Sequence, residues 1–349
     1  MTIPTNWLLL RGLAREQRHW SEFPEVLART VPGVTVHRLD LPGAGTECQR
    51  SAPLSVPAMA EDVRARWLAL RAQHPGAWGL FGISLGGMVS IAWCGARPED
   101  FERVVVVNSS VSDLSPAWQR MTLGSAGTVL RVLATDDGLT RERLVIGLTT
   151  TQCRDTEERA RTWAAYQLDR PMRRANVVRQ VLAAARFRAP AAVRTPMLVL
   201  IGARDGLCHP ACPRAIAERY RAPFRVHPSG GHDLSTDDPV WMAEQVRDWV
   251  GGAGSRPAGL GPAGGPTRPR RTSGGHPPAG GAAGPALRRG PRAPHGPATR
   301  PSKTIVDGGS IPRRRAQAAF RRDSPRAAGG WKSPPNYSIR APPSGSIRM

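Results

Sequence analysis

Short apolar segments alternate with longer amphipathic segments through the first 250 residues of the chain. The short segments are rich in Val, Ile and Leu and end at polar or turn-forming residues, which is typical of buried β-strands. We predict six such strands, at residues 7–10, 35–39, 77–82, 103–108, 197–202 and 224–227. Two segments between them, 18–30 and 56–73, carry apolar residues at the spacing of a one-faced helix. Strands that alternate with helices predict an α/β protein with a mostly parallel sheet flanked by helices.

The alternation stops after residue 108 and resumes at residue 197. The apolar spacing in between predicts only helices, at residues 116–132, 141–148, 156–168 and 175–185. A helical insertion between two strands of one sheet lies over the carboxyl edge of that sheet or beside it, and that edge is where ligands bind in open α/β sheets. We therefore predict a helical cap at about residues 112–190.

The composition changes near residue 251. Residues 251–349 contain 18 Lys and Arg but only 2 Asp and Glu, and they hold 17 of the 34 prolines and 19 of the 37 glycines. Because such a segment buries little apolar surface, we predict a folded domain at 1–252 and a disordered basic tail at 253–349. The charge is compatible with nucleic acid or another polyanion as a partner of the tail, although no recognition motif accompanies it. Arg, Pro, Gly and Ala are also the residues that GC-rich DNA encodes in almost any reading frame. The tail is therefore either a segment that binds a polyanion or the product of a shifted reading frame, and both interpretations stay open.

The rest of the composition argues against a membrane-spanning segment and against a metal site. No run approaches the roughly 20 apolar residues that span a bilayer, and the N-terminus does not resemble a signal peptide. Five scattered cysteines do not form a disulfide framework in a domain of this size, so we expect a cytoplasmic protein without membrane insertion. Cys208, His209 and Cys212 leave a fourth metal ligand unaccounted for, and we expect no metal and no cofactor.

One short motif carries nucleophilic chemistry. Gly82-Ile83-Ser84-Leu85-Gly86 has the G-x-S-x-G pattern and stands between a predicted strand and a segment that reads as a helix. A sharp strand-to-helix turn exposes the serine oxygen, while the start of the helix aims backbone N–H groups at an oxyanion. A Gly-Ser turn can also simply begin a helix, so the motif needs partners.

Those partners follow in the order acid, then histidine. Asp205 follows the strand at 197–202 after a two-residue turn, and His232 follows the strand at 224–227 through a short Gly-containing loop. In this interpretation the nucleophile is Ser84, the orienting carboxylate is Asp205 and the general base is His232. We expect His232 to titrate near the ordinary histidine pKa of about 6.5. Asp113, which follows the strand at 103–108, is an alternative acid. We interpret Asp233, beside the histidine, as a turn or capping residue.

Together these motifs resemble the α/β-hydrolase family over residues 8 to about 250. The segments that carry the resemblance are 8–13, 40–45, 82–86, 202–205 and 230–232. The resemblance implies that the backbone N–H groups of Leu13 and Leu85 form the oxyanion hole. In that family the first loop commonly reads His-Gly, whereas this chain has Arg11 before Gly12. Arg11 and the charges at 14–20 could attract an acidic substrate, but we expect a solvated face of salt bridges.

The favoured function is a serine hydrolase that forms an acyl-enzyme from a small-molecule carboxylic ester, thioester or amide. Acyltransferases and carbon–carbon bond hydrolases use the same three residues, and the sequence does not choose between them. The alternative is a non-catalytic α/β-hydrolase-like scaffold whose basic tail binds acidic partners. Trp118, Trp163, Tyr166 and Met172 in the predicted cap are either its core or an acyl pocket.

Overall fold

One parallel sheet of six strands organises the domain. The computed structural model describes residues 3–252, and its strands are β1 (Asn6–Leu10), β2 (Thr35–Arg38), β3 (Trp78–Ile83), β4 (Arg103–Val107), β5 (Met197–Gly202) and β6 (Phe224–His227). Their order across the sheet is β2-β1-β3-β4-β5-β6, and every neighbouring pair is parallel. All six strands lie within one residue of their predicted ends, which confirms the α/β prediction.

Helices cover both faces of this sheet. They are α1 (Phe23–Thr30), α2 (Val56–Gln73), α3 (Leu85–Ala96), α4 (Ala117–Arg120), α5 (Leu123–Ala134), α6 (Gly138–Thr149), α7 (Thr156–Asp169), α8 (Arg174–Arg186), α9 (Ala211–Tyr220), α10 (Leu234–Asp237) and α11 (Pro239–Val250). Successive strand residues face opposite sides of a sheet, so the apolar runs supply two cores. Leu8 and Val104 join a core with α2, α3 and α9. Leu9 and Val105 join a second core with α1 and α11, and each of these fully buried side chains stabilises the fold by about 2 kcal/mol.

The five helices α4 to α8 form an insertion between β4 and β5, as predicted for about residues 112–190. The insertion has a small core of its own, in which Ile146, Ala160 and Trp163 are fully buried. The helical cap is therefore present, and it packs partly on itself.

Two predicted helices are interrupted. The helix expected at 116–132 breaks before Thr122, whose hydroxyl accepts from the backbone N–H of Ser125 and caps a new helix, α5. The helix expected at 18–30 is a 3₁₀ turn, Gln17–Trp20, followed by α1. Pro24, in the first turn of α1, has no N–H to continue a preceding helix. In both places one side chain, the capping hydroxyl of Thr122 or the ring of Pro24, interrupts the helix that the apolar spacing alone predicts.

The parallel topology brings the ends of five strands to one edge. Arg11, Ser84 and Asn108 directly follow β1, β3 and β4, while Asp205 and His232 lie in the loops after β5 and β6. Within residues 3–252 no helix is long and apolar enough to cross a membrane. The predicted tail at 253–349 lies outside the described residues.

Candidate active site

Ser84 stands in a strained turn between β3 and α3. Its backbone has φ 56° and ψ −118°, a conformation that costs a residue with a side chain about 1–3 kcal/mol. The Ser84 N–H donates to the carbonyl of Val107, at 2.9 Å, which ties the turn to β4. A Cβ on Gly82 would lie 2.3 Å from the Gly86 carbonyl oxygen, and one on Gly86 would lie 2.2 Å from that of Leu10. Only glycine fits at either position, so the motif residues are those that this turn requires.

The acid and the histidine form a buried pair at the same edge of the sheet. Nδ1 of His232 and Oδ2 of Asp205 are 2.7 Å apart, and their side chains are 8% and 1% exposed. The other oxygen of Asp205 accepts from the backbone N–H groups of Leu207, at 2.9 Å, and Cys208, at 2.8 Å. These bonds fix the carboxylate, which in turn fixes the orientation of the imidazole ring.

Opposing effects determine the protonation of His232. Burial disfavours the charged ring, but the Asp205 carboxylate stabilises it by charge and by its hydrogen bond, and Asp233 adds to this effect. The guanidinium of Arg11 opposes them, and the net result is a raised pKa of His232. The expectation of a value near 6.5 was therefore too low, because it left the neighbouring carboxylates out.

The loop after β1 packs directly against Ser84. A Cβ on Gly12 would lie 3.1 Å from Cβ of Ser84 and 3.6 Å from its Oγ, so glycine allows this close approach. Among the described residues, the backbone N–H groups of Leu13 and Leu85 donate to no protein acceptor. They are therefore available to an oxyanion beside Ser84. Within the same residues no direct hydrogen bond joins Ser84 to His232, and such bonds are often long before substrate binds.

The alternative acid, Asp113, is used elsewhere. Its Oδ1 accepts from the backbone N–H of Ala189, at 2.9 Å, and its Oδ2 lies 3.9 Å from Nε of Arg188. Because the carboxylate bonded to His232 is that of Asp205, the geometry favours Asp205 as the acid.

The charges around Arg11 are paired, but they are not solvated. Arg11 is 4% exposed and forms a salt bridge of 2.6 Å with Asp233. Arg15, 9% exposed, forms a salt bridge of 2.6 Å with Glu142 in α6 of the cap. The expected salt bridges are therefore present, but the expectation of a solvated face was wrong for Arg11, which is buried against the histidine loop, and for Arg15, which is buried against the cap. Arg18 stays partly exposed, at 28%. Asp233 does precede a helix, α10, but its side chain binds Arg11 and makes no cap hydrogen bond.

Asn108 is a supporting residue that the sequence analysis missed. Its Nδ2 donates to the carbonyl oxygens of both Gly231 and His232, each at 2.9 Å. Its Oδ1 accepts from the N–H of Gly202, at 2.8 Å, at the end of the strand that leads to Asp205. One buried amide therefore joins the acid strand to the histidine loop. The available signal was a polar residue at the end of an apolar strand.

The cap is bonded to the loops that follow β1, β5 and β6. These bonds are Gln180 Oε1 with Ala14 N (3.0 Å), Leu207 O with Thr122 N (3.0 Å) and Thr149 O with Asp233 N (2.7 Å). Of the predicted cap aromatics, Trp163 is fully buried in the cap core, whereas Trp118 is 64% exposed. Tyr166 and Met172 are half-buried.

Two surface cavities of about 290 and 370 Å³ lie away from this site, and neither is lined by Ser84, Asp205 or His232. Within residues 3–252 no group of three or more His, Cys, Asp or Glu side chains is arranged to hold a metal ion.

Comparison with known proteins identifies a family for most of the domain. Residues 8–239 match the family model described as serine aminopeptidase, S33. No curated protein matches the chain significantly in sequence.

Solved structures share the fold at low sequence identity. A thermophilic esterase from Thermogutta terrifontis is 21% identical over 73% of this chain and 92% of its own, with a TM-score of 0.55. A hydrolase from Pseudomonas aeruginosa PA01 is 21% identical over 72% and 91%, with a TM-score of 0.57. The enol-lactonase from Burkholderia xenovorans LB400 is 19% identical over 72% and 92%, with a TM-score of 0.55. These likenesses support the α/β-hydrolase fold.

Proposed function

Because the chain belongs to the S33 serine aminopeptidase family of α/β hydrolases, we propose that it is a serine hydrolase that cleaves a carboxylic ester through an acyl-enzyme. The observation that carries this proposal is the strained Ser84 turn at the same sheet edge as the bonded Asp205–His232 pair. Strain of this kind persists where the surrounding structure enforces it, and it marks functional sites.

The same groups act in both halves of the proposed reaction, acylation and deacylation. Oγ of Ser84 attacks the ester carbonyl carbon while Nε2 of His232 takes the seryl proton. The N–H groups of Leu13 and Leu85 stabilise the oxyanion of the tetrahedral intermediate. His232 returns the proton to the departing alkoxide, which leaves as the alcohol. Water then attacks the acyl-enzyme by the same steps, releases the acid and restores Ser84, while Asp205 holds the Nδ1–H tautomer.

The charges around the site favour an ester as the substrate over a peptide with a free N-terminal ammonium group. An aminopeptidase needs an available carboxylate to bind the substrate ammonium group, and the acids here have other partners. Asp205 binds His232, Asp233 binds Arg11, and Glu142 binds Arg15. An uncharged acyl group matches this arrangement, and the names of the esterase and the enol-lactonase in the comparison agree with it.

A fluorophosphonate probe tests the nucleophile directly. We expect the full-length protein to gain one phosphonyl group, the mass of the probe less HF, on the peptide that contains Ser84, and Ser84→Ala to gain none. The same variant should lose at least about a thousandfold in hydrolysis of p-nitrophenyl esters of graded chain length. Ser51→Ala, at an exposed serine, is the matched control and should keep wild-type rates.

Three outcomes would contradict the proposal, in whole or in part. An unlabelled wild-type protein that is folded and cleaves no ester would support the non-catalytic scaffold. More than about a tenth of wild-type activity in Ser84→Ala would mean that another residue is the nucleophile. Faster cleavage of aminoacyl p-nitroanilides than of esters would instead move the substrate to amides.

A further inference from the structure

Arg11 directly follows β1, two residues before Leu13, and its side chain reaches across to the histidine loop. Its NH2 lies 2.6 Å from Oδ2 of Asp233 and its NH1 lies 3.2 Å from Oδ1. NH1 also donates to Oγ of Ser235, at 2.7 Å, and that hydroxyl donates to Oδ1 of Asp233, at 2.6 Å. A two-pronged ion pair with a shared hydroxyl thus joins residues that are 222 positions apart in the chain.

The backbone of Arg11 contacts the nucleophile turn at the same time. A Cβ on Gly86 would lie 2.7 Å from the Arg11 carbonyl oxygen, and Gly12 lies against Ser84. The guanidinium also stacks on Trp20, with 4.9 Å between its carbon and the ring centre. Arg11 is therefore fixed by the nucleophile turn on one side and by the residue after His232 on the other.

We propose that Arg11 and Asp233 are a positioning pair that holds the oxyanion loop and the His232 loop in one fixed geometry, with charges that balance each other beside the imidazole. This inference rests on the proposed function, because it assigns the pair to the same site. An arginine is required because its planar fork can bind both carboxylate oxygens and the Ser235 hydroxyl together, which a lysine ammonium cannot do in this geometry.

The charged groups that face His232 come from three loops. Asp205 lies in the loop after β5, Asp233 is adjacent in the chain, and Arg11 lies after β1. Burial and Arg11 lower the pKa of His232, whereas Asp205 and Asp233 raise it. The pair is buried, with both side chains about 5% exposed, so solvent screens these charges weakly. Removing one charge alone must therefore change the pKa of His232 in a known direction.

Three variants of the full-length protein separate charge from geometry. Asp233→Asn leaves Arg11 unopposed and should lower the pKa of His232. Arg11→Lys keeps the charge but loses the fork, so the pKa should stay near the wild-type value while kcat falls. The double variant Arg11→Gln, Asp233→Asn removes both charges and should return the pKa towards wild type without restoring kcat.

Two measurements are made on each variant. The pKa of His232 is followed by NMR titration of ¹³C-labelled histidine, with the resonance identified by its loss in His232→Gln. Values of kcat and KM are measured with a p-nitrophenyl ester at a pH well above that pKa. We expect kcat to fall between about tenfold and a hundredfold in all three variants, with KM nearly unchanged. The control is Glu157→Gln, which breaks the exposed pair with Arg143 in the cap and should change neither quantity.

The results distinguish the two proposals. An unchanged His232 pKa in Asp233→Asn, or wild-type kcat in Arg11→Lys, would overturn the positioning pair and leave the serine hydrolase intact. A wild-type protein that neither reacts with the probe nor cleaves esters would overturn the proposed function, while the NMR titration would still test the pair. If Asp233→Asn does not fold, the double variant and Arg11→Lys carry the test, because neither leaves an unpaired buried charge.

Discussion

Asn108 provides the sharpest stability test of the site, since one side chain joins the acid strand to the histidine loop. Replacing it with alanine removes three hydrogen bonds and leaves the carbonyls of Gly231 and His232 and the N–H of Gly202 without their partner. Asn108 is 1% exposed, so water reaches these groups poorly.

The expected loss follows from these contacts. Each buried group left unpaired costs about 1–3 kcal/mol, and the low end of that range for three groups gives about 3 kcal/mol. Asn108 has φ 42°, which asparagine tolerates, whereas alanine there adds about 1 kcal/mol of strain. We therefore expect Asn108→Ala to lower the free energy of unfolding by about 4 kcal/mol. Since the His232 carbonyl loses its anchor, kcat should fall as well.

The matched control is Asn6→Ala. Asn6 is a buried amide at the opposite edge of the sheet, where its Nδ2 donates to the Pro75 carbonyl and its Oδ1 bonds to His37. Urea unfolding should show a loss of stability in both variants. Ester hydrolysis, measured where each variant is folded, should fall only in Asn108→Ala.

The isosteric variant Asn108→Asp adds a pH signature. The ionised carboxylate of this variant cannot donate to the two carbonyls, whereas its protonated form donates once, so the folded pKa of the introduced group lies above the unfolded value. The stability of the variant relative to wild type should then be highest at low pH and should decrease as pH rises through the folded pKa. A loss below about 1 kcal/mol in Asn108→Ala, with kcat retained, would refute the bridging role.

Three further predictions concern the acid, the base and the ion pair. Asp205→Asn should lower kcat about ten-thousandfold because the amide favours the wrong imidazole tautomer, whereas Asp113→Asn should stay within twofold; steady-state kinetics with one ester decide between them. The acid limb of kcat/KM should lie above pH 6.5, because His232 must be neutral to accept a proton and its pKa is raised, so activity is lost as pH falls through that value. A limb at or below 6.5 contradicts this assignment. Arg11 is the main charge that lowers the pKa of the buried Asp233 from 3.8 to about 2 against the opposing effect of burial, so the carboxylate contributes about 2 kcal/mol of stability above pH 4. That contribution is lost as pH falls from about 4 to 2, and urea unfolding should show it in wild type but not in Asp233→Asn.

The sheet and the order of site residues could be predicted because both depend on local pattern. An apolar run of five or six residues between polar ends is sufficient to identify β3, β4 or β5. In a parallel sheet the residue after a strand lies at the carboxyl edge, so the placement of Ser84 followed from sequence position alone. The glycines at 82 and 86 made the turn recognisable, since no other residue fits there.

The supporting contacts could not be predicted because they join distant parts of the chain. Nothing local to Arg11 indicates a partner 222 residues away, and its neighbouring charges suggested a surface instead. The choice between Asp113 and Asp205 likewise depends on which carboxylate reaches the imidazole in space. Asn108 belongs to no motif, and its side chain bonds backbone groups at the end of β5 and in the histidine loop.

The cap determines more of the site than its place in the sequence indicates. It bonds to the backbone at Ala14, Leu207 and Asp233, one position in each of the three loops that present the proposed catalytic groups. Displacing the cap as a body would leave these groups without their partners and would free the oxyanion loop from Gln180. We therefore expect displacement of the cap to loosen the oxyanion loop, because the Gln180–Ala14 bond would be lost. We therefore expect substitutions in the cap that remove these bonds to alter kcat without touching Ser84, Asp205 or His232.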